Sequence, residues 1–201
     1  DEEKSRLTVK LTHLKTTIDA FISKRSSNQW SSIFKSADLY ADVNLLIDDS
    51  GKYIVNLRNL NVSNLDNMNN WKLSPKIFPS LHLSLKDSKV NNKKVPNFEA
   101  DLINHDYVME IKNLVFENIG LSDEDLIFNG NWLNGKTALR AKASSENLSS
   151  FLSKFGLNEP VIGGSFNVDL RLYCECEPWQ VSPQNITGYM QADVEEGVFT
   201  N

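Results

Sequence analysis

Few residues in this chain are of a type and spacing that could do chemistry. Cys174 and Cys176 are the only cysteines, two apart on an expected strand, so their side chains point to the same face. A bridge between them is disfavoured there, because a disulfide needs a particular Cα separation and dihedral. A metal site would need more ligands, and His13, His82 and His105 are scattered. Both cysteines therefore read as apolar face positions, free cysteine behaving as a small hydrophobe. The acidic clusters Asp123-Glu124-Asp125 and Glu195-Glu196 offer paired carboxylates of the kind a glycosidase uses, but they fall at expected turns with no aromatic platform beside them. No nucleophile–base pair stands at a recognised spacing. The sequence thus names no catalytic residue, metal ligand or cofactor, and no enzyme is expected. The sequons at Asn61, Asn147 and Asn185 are chance products of an asparagine-rich chain.

What remains is pattern. The 201 residues are 40% hydrophobic and 23% charged, with a net charge of -5. Lysine and arginine are interspersed with acids rather than gathered in a stripe, which argues against a nucleic-acid partner. No run of about 20 apolar residues occurs, so no membrane-spanning helix is expected. The chain starts and stops in mid-pattern, and the expectation is a fragment of a longer protein.

Leu7, Val9 and Leu11 alternate as in a short strand, and Leu14, Ile18, Phe21 and Ile22 have the spacing of a helix face, followed by a polar break at Ser26 to Ser32 around Trp30 and a further helical turn to Phe34. From Asp38 the period is two. Leu39, Ala41, Val43, Leu45 and Ile47 share a face, the turn at Asp48 to Gly51 reverses the chain, and Tyr53, Val55 and Leu57 return. The register shifts near Asn59 before Leu60 and Val62, as at a bulge. Residues 64–79 read as a loop, Leu81, Leu83 and Leu85 as a strand, and Lys86 to Lys94 as a polar bend. Phe98, Ala100 and Leu102 are followed by Ile111, Leu114 and Phe116 as inward sets. Leu126 to Trp132 pairs with Leu139, Ala141 and Ala143 across Asn134-Gly135, a strong hairpin signal.

A short amphipathic helix is expected over 145–156, with Ser145 as N-cap, an apolar stripe of Leu148, Phe151, Leu152 and Phe155 for packing on the sheet, and Gly156 as C-cap. Phe166, Val168, Leu170 and Leu172 then share a face, as do Ile186, Met190, Ala192 and Val194. Two stretches, a helix and a long hairpin before 78 and again after 145, resemble each other and suggest repeats. The fold class is mainly β: a long, curved, antiparallel open sheet shaped as a half-pipe, built of repeats with one or two short amphipathic helices. Residues 1–78 form an upstream unit and 79–201 a second. Alternation alone would equally describe the core of a closed sandwich or barrel.

The motifs that carry a resemblance are Leu81-x-Leu83-x-Leu85, Gly130-Asn131-Trp132, the Asn147-Leu148 to Phe155-Gly156 helix, Gly163-Gly164, Pro178-Trp179, and Ile186-Thr187-Gly188 ending in Glu196-Gly197-Val198-Phe199. In this order they resemble the AsmA-like family, most closely the C-terminal region of its YhdP branch. Residues 7–64 look like the unit before it. The run Tyr173 to Glu177 departs from the pattern, since relatives more usually place a tryptophan at that strand end.

The resemblance implies a protein anchored in the bacterial inner membrane by a helix outside this fragment and reaching across the periplasm. Its open sheet would carry a hydrophobic groove for phospholipids moving to the outer membrane. Phospholipids, other segments of the same chain and envelope membrane proteins at its ends would be the partners. The inward apolar residues expected to meet acyl chains are Leu39, Val43, Leu45, Val55, Leu57, Leu83, Leu102, Ile111, Phe128, Leu139, Phe166, Val168, Leu170, Leu172, Ile186, Met190 and Val194. The alternative is a non-catalytic scaffolding module for outer-membrane biogenesis whose apolar face is covered by protein.

Overall fold

The structure, a computed structural model, describes residues 3–11, 16–37, 39–63, 74–90, 92–117, 127–145, 161–162, 164–181, 184–196 and 198–199. The strands among them are β1 (Glu3–Leu11), β2 (Thr16–Ser26), β3 (Gln29–Lys35), β4 (Leu39–Ile47), β5 (Tyr53–Val62), β6 (Leu81–Lys86), β7 (Ser88–Val90) and β8 (Lys93–Val95). They continue with β9 (Phe98–His105), β10 (Val108–Phe116), β11 (Ile127–Leu133), β12 (Lys136–Ser145), β13 (Val161–Ile162), β14 (Ser165–Cys174), β15 (Thr187–Glu195) and β16 (Val198–Phe199). Fourteen of these form one open, curved sheet in the order β1-β2-β3-β4-β5-β6-β9-β10-β11-β12-β14-β15, with β7 and β8 as a side hairpin off β5. β13 and β16 make a separate antiparallel pair.

Turn chemistry sets most of the reversals. The Asp48 carboxylate accepts hydrogen bonds from the backbone N–H groups of Ser50 and Lys52, both at 2.9 Å, and closes the β4–β5 hairpin. Asn134 and Gly135 both have positive φ, 32° and 80°, as a tight hairpin turn with the right twist demands. Bulges at Asn59 and Asn113, with φ of 54° and 52°, displace the register inside β5 and β10. The asparagine-rich composition thus has a conformational use, since asparagine tolerates the left-handed region better than most residues.

Several expectations meet a different structure. The segment around Ile18, Phe21 and Ile22 is strand β2, and Phe34 lies in strand β3, so neither is helical. Thr16, Thr17 and Ile18 form a β-branched run, which favours extended backbone. In the strand, Ala20 and Ile22 pair with Phe34 and Ser32, while Phe21 joins Ile33 on the opposite face. The polar bend after Lys86 contains the β7–β8 hairpin. The sheet is also not wholly antiparallel, because β5 and β6 run parallel. Of the proposed repeat, the first hairpin is therefore preceded by strands. Ser145, expected as an N-cap, is the last residue of β12. Residues 146–160, with Leu148, Phe151, Leu152 and Phe155, lie outside the described residues, as do Asp123 to Asp125.

A parallel pair requires the connection to cross from one end of the strands to the other. The described end of that connection is a strap over the sheet. Its 3-10 turn, Pro75–Ile77, is capped by Ser74. Asn104 of β9 holds it: its side-chain amide donates to the carbonyls of Pro75 (3.2 Å) and Phe78, and its backbone N–H donates to Ser80 Oγ at 2.9 Å.

Candidate functional site

Residues paired across a sheet point to the same side, so the register decides which side chains share a face. One row runs Tyr53, Leu81, Leu102, Ile111, Gly130, Leu139, Leu172 and Gly188. Leu45, Val55, Leu83 and Ala100 form the first half of the next, and Leu114, Phe128, Ala141, Leu170 and Met190 the second. Beyond it come Val43, Leu57, Leu85, Phe98 and Phe116, then Val168 with Ala192 and Phe166 with Val194 on the far strands. Leu39 pairs with Val62 past the bulge on the same side. Every expected inward residue within a strand therefore falls on one face, and Ile186 stands half-buried just before β15. Unforeseen members are Ile22 and Phe34, which the expected helical turns had removed from the sheet, and Trp30, which fell in the expected polar break.

The opposite face carries the charged side chains and their cross-links, with Phe21, Ile33, Ile127 and Leu133 exposed among them. Asp101 accepts from Lys52 Nζ (2.8 Å) and Asn113 Nδ2 (3.1 Å) and meets His82 Nδ1 at 3.0 Å. The Lys52 hydrogen bond is the main reason its carboxyl is held down at about 2, with His82 and Asn113 assisting against its own partial burial. Asp169 joins Arg140 (2.5 Å) and Arg171 (3.5 Å), and the Arg140 bond draws its pKa below the usual carboxylate range. Such half-exposed pairs add little to stability individually, but they mark which side meets water.

Exposure divides the apolar face. In the middle, Ala100, Met109, Ile111 and Trp132 form a buried cluster, with Leu102, Leu114, Leu139 and the strap's Phe78 packed against it. Phe78 meets the Trp132 ring at a centroid distance of 5.7 Å. Leu102 and Ile111, expected to meet acyl chains, belong to this protein-covered patch. At the edge strand β15 the face opens: Met190 is 66% exposed and Val194 44%. Phe166 is fully buried, whereas Val168, Leu170 and Leu172 are half-buried.

Below Trp132 sits a second fixed point that the sequence did not reveal. Trp132 Nε1 donates to Glu177 Oε2 at 2.5 Å, and Glu177 is buried. Thr137 Oγ1 donates to the Cys176 carbonyl at 2.8 Å. Cys174 and Cys176 are joined in a disulfide, which corrects the expectation of two free apolar residues. Strand β14 ends at Cys174 and the chain bends, so their Cα atoms are 5.1 Å apart, short of the roughly 6.6 Å that two residues span in an extended strand. A buried glutamate in a Cys-Glu-Cys-Glu run gave no sequence signal, since an alternating charged run reads as solvated. Among the described residues no group of three or more potential ligands is placed to hold a metal ion, and no helix is long and apolar enough to cross a membrane.

The site is one face of a large open β-sheet, along which the register gathers apolar residues from β4 to β15. A family model described as YhdP protein matches residues 5–201, and the chain belongs to this YhdP family. Membership is consistent with a role in lipid transport, and the match extends through residues 7–64, where the sequence motifs are least specific. No curated protein and no solved structure matches the chain.

Proposed function

We propose that this chain is a segment of a lipid-transfer bridge of the bacterial envelope, whose apolar face carries phospholipid acyl chains between the inner and outer membranes. The observation that carries this reading is a single apolar face maintained through the register from β4 to β15, with its side chains still exposed at Met190 and Val194. An eleven-residue strand spans about 35 Å, enough to curl around acyl chains. Each buried CH₂ is worth about 0.8 kcal/mol wherever it lies along such a surface, so movement along it is nearly level. Continuity of the apolar environment does the work, and no residue catalyses a step. The periplasm is the fitting compartment, because the Cys174–Cys176 disulfide suits an oxidising space. The partners are phospholipids, further segments of the same protein, and membrane proteins at the two ends.

The test is phospholipid co-purification. Chain isolated from cells and analysed by native mass spectrometry should carry phospholipid. Leu170→Glu with Met190→Glu should strip the lipid while leaving the strand circular-dichroism signal and thermal midpoint in place. A well-folded, lipid-free wild-type chain would favour the scaffolding reading, for which the strap over Trp132 speaks, since it shows protein covering part of this face.

A further inference from the structure

The strap covers only part of the apolar face of the middle strands. On one side of the middle strands lie Met109, Ile111 and Trp132, 1%, 7% and 5% exposed, beneath Phe78. On the other side, one or two side-chain rows further along the same strands, stands an aromatic ladder. Phe98 of β9 meets Phe116 of β10 at 5.9 Å between centroids, and Phe116 meets Phe128 at 6.0 Å, both edge-on. All three rings are half-buried rather than closed off. The asparagine bulge at Asn113 separates the two zones: it shifts the register between Ile111 and Leu114, so that Leu114 and Phe116 return to the apolar face beyond it.

Building on the lipid-bridge reading above, we propose that acyl chains cross the middle of the sheet in a narrow lane floored by Phe98, Phe116 and Phe128, and that the Asn104-anchored strap excludes them from the Met109–Trp132 side. A covered row cannot also hold an acyl chain, because Phe78 already lies against Trp132 and the Met109 and Trp132 side chains are buried. The ladder has the opposite character. Edge-on rings leave grooves between them that accept flexible methylene chains, and they are rigid enough to keep the lane open. The lane would be the tightest point of the passage. Branched or bulky acyl chains would be slowed there and straight ones passed.

The experiment places a photoreactive benzophenone amino acid at one position at a time in the full chain, expressed in cells and irradiated, and scores covalently attached phospholipid. Leu170 reports on the groove itself, Phe116 on the lane and Leu102 on the strap side; Leu102 is half-buried and tolerates the change better than Met109. Label at Leu170 and Phe116 with loss of label at Leu102 is the expected result. In Asn104→Ala, which removes the side-chain amide's bonds to the strap, label at Leu102 should appear. Label at Leu102 as strong as at Phe116 in the otherwise unaltered chain, or label at Leu170 with none at Phe116, overturns the lane and leaves the bridge standing. No label at Leu170 or any other position overturns the bridge reading, and the lane falls with it.

Discussion

The middle strands β9–β11 and the last strands β14–β15 present the same alternation to the same face and end in different states. In the middle, the crossover forced by the parallel β5–β6 pair returns over the sheet, and Phe78 closes Met109, Ile111 and Trp132 into a core. At the far end the described residues supply no such cover over Met190 and Val194, and they stay exposed. Periodicity fixes which side a residue faces; what lies above it is decided by a connection elsewhere in the chain.

The sharpest way to probe that contrast is to make one change in both places. Met109→Ala should cost about 2–5 kcal/mol in denaturant unfolding, as large-to-small changes in a core do. Met190→Ala should stay within about 0.5 kcal/mol, as at a surface. Equal losses would mean that the far strands are also closed core.

Next in size is Trp132→Phe. It keeps the ring on Phe78 but removes the donor to the buried Glu177 carboxylate. A loss of about 1.5–3 kcal/mol is expected, the scale of a hydrogen bond to a charged group. Trp132→Phe together with Glu177→Leu should recover part of it.

Glycines sharpen the comparison further. A side chain at Gly130 would collide with the Ala138 carbonyl, and one at Gly188 with that of Arg171. The strands approach closely at both ends of the row Gly130–Leu139–Leu172–Gly188, as at a bend in a curved sheet. Gly130→Ala should cost about 1–3 kcal/mol by thermal unfolding, the usual cost of overpacking. Gly188→Ala should cost less, because among the described residues β15 is paired with β14 alone, which lets it shift outward.

The smallest effect belongs to the polar face. Asp101 titrates at about 2 in the folded chain against an ordinary 3.8. Its contribution is therefore complete above pH about 4 and is lost as the pH falls through about 2. Asp101→Asn should lower stability at neutral pH slightly and flatten the pH dependence between those values. An unchanged acid-unfolding profile would show that the Lys52–Asp101–His82 cluster is only a surface feature.

Much of this was legible in the sequence, and the exceptions have physical causes. Strict alternation around Val43, Val55, Leu83 and Leu170 defines strands because period two has no other use, and Asn134-Gly135 and Asp48 to Gly51 define hairpins through their turn chemistry. The β2 segment misled because Ile18, Phe21 and Ile22 fit a helical stripe while Phe21 in fact serves the opposite face. The strap was illegible because Phe78 gains its role from a contact with Trp132, 54 positions away in sequence by 132 − 78. The disulfide was misjudged because the extended-strand geometry assumed for Cys174 and Cys176 ends at Cys174.

The most direct measurement is hydroxyl-radical footprinting of the methionines, which compares the two regions within one molecule. Without lipid, Met190 should oxidise quickly and Met109 hardly at all, as their 66% and 1% exposures require. Adding phospholipid should protect Met190 and leave Met109 unchanged. Fast oxidation of Met190 that saturating phospholipid does not slow would contradict an acyl-binding face, and oxidation of Met109 as fast as that of Met190 would contradict the closed middle.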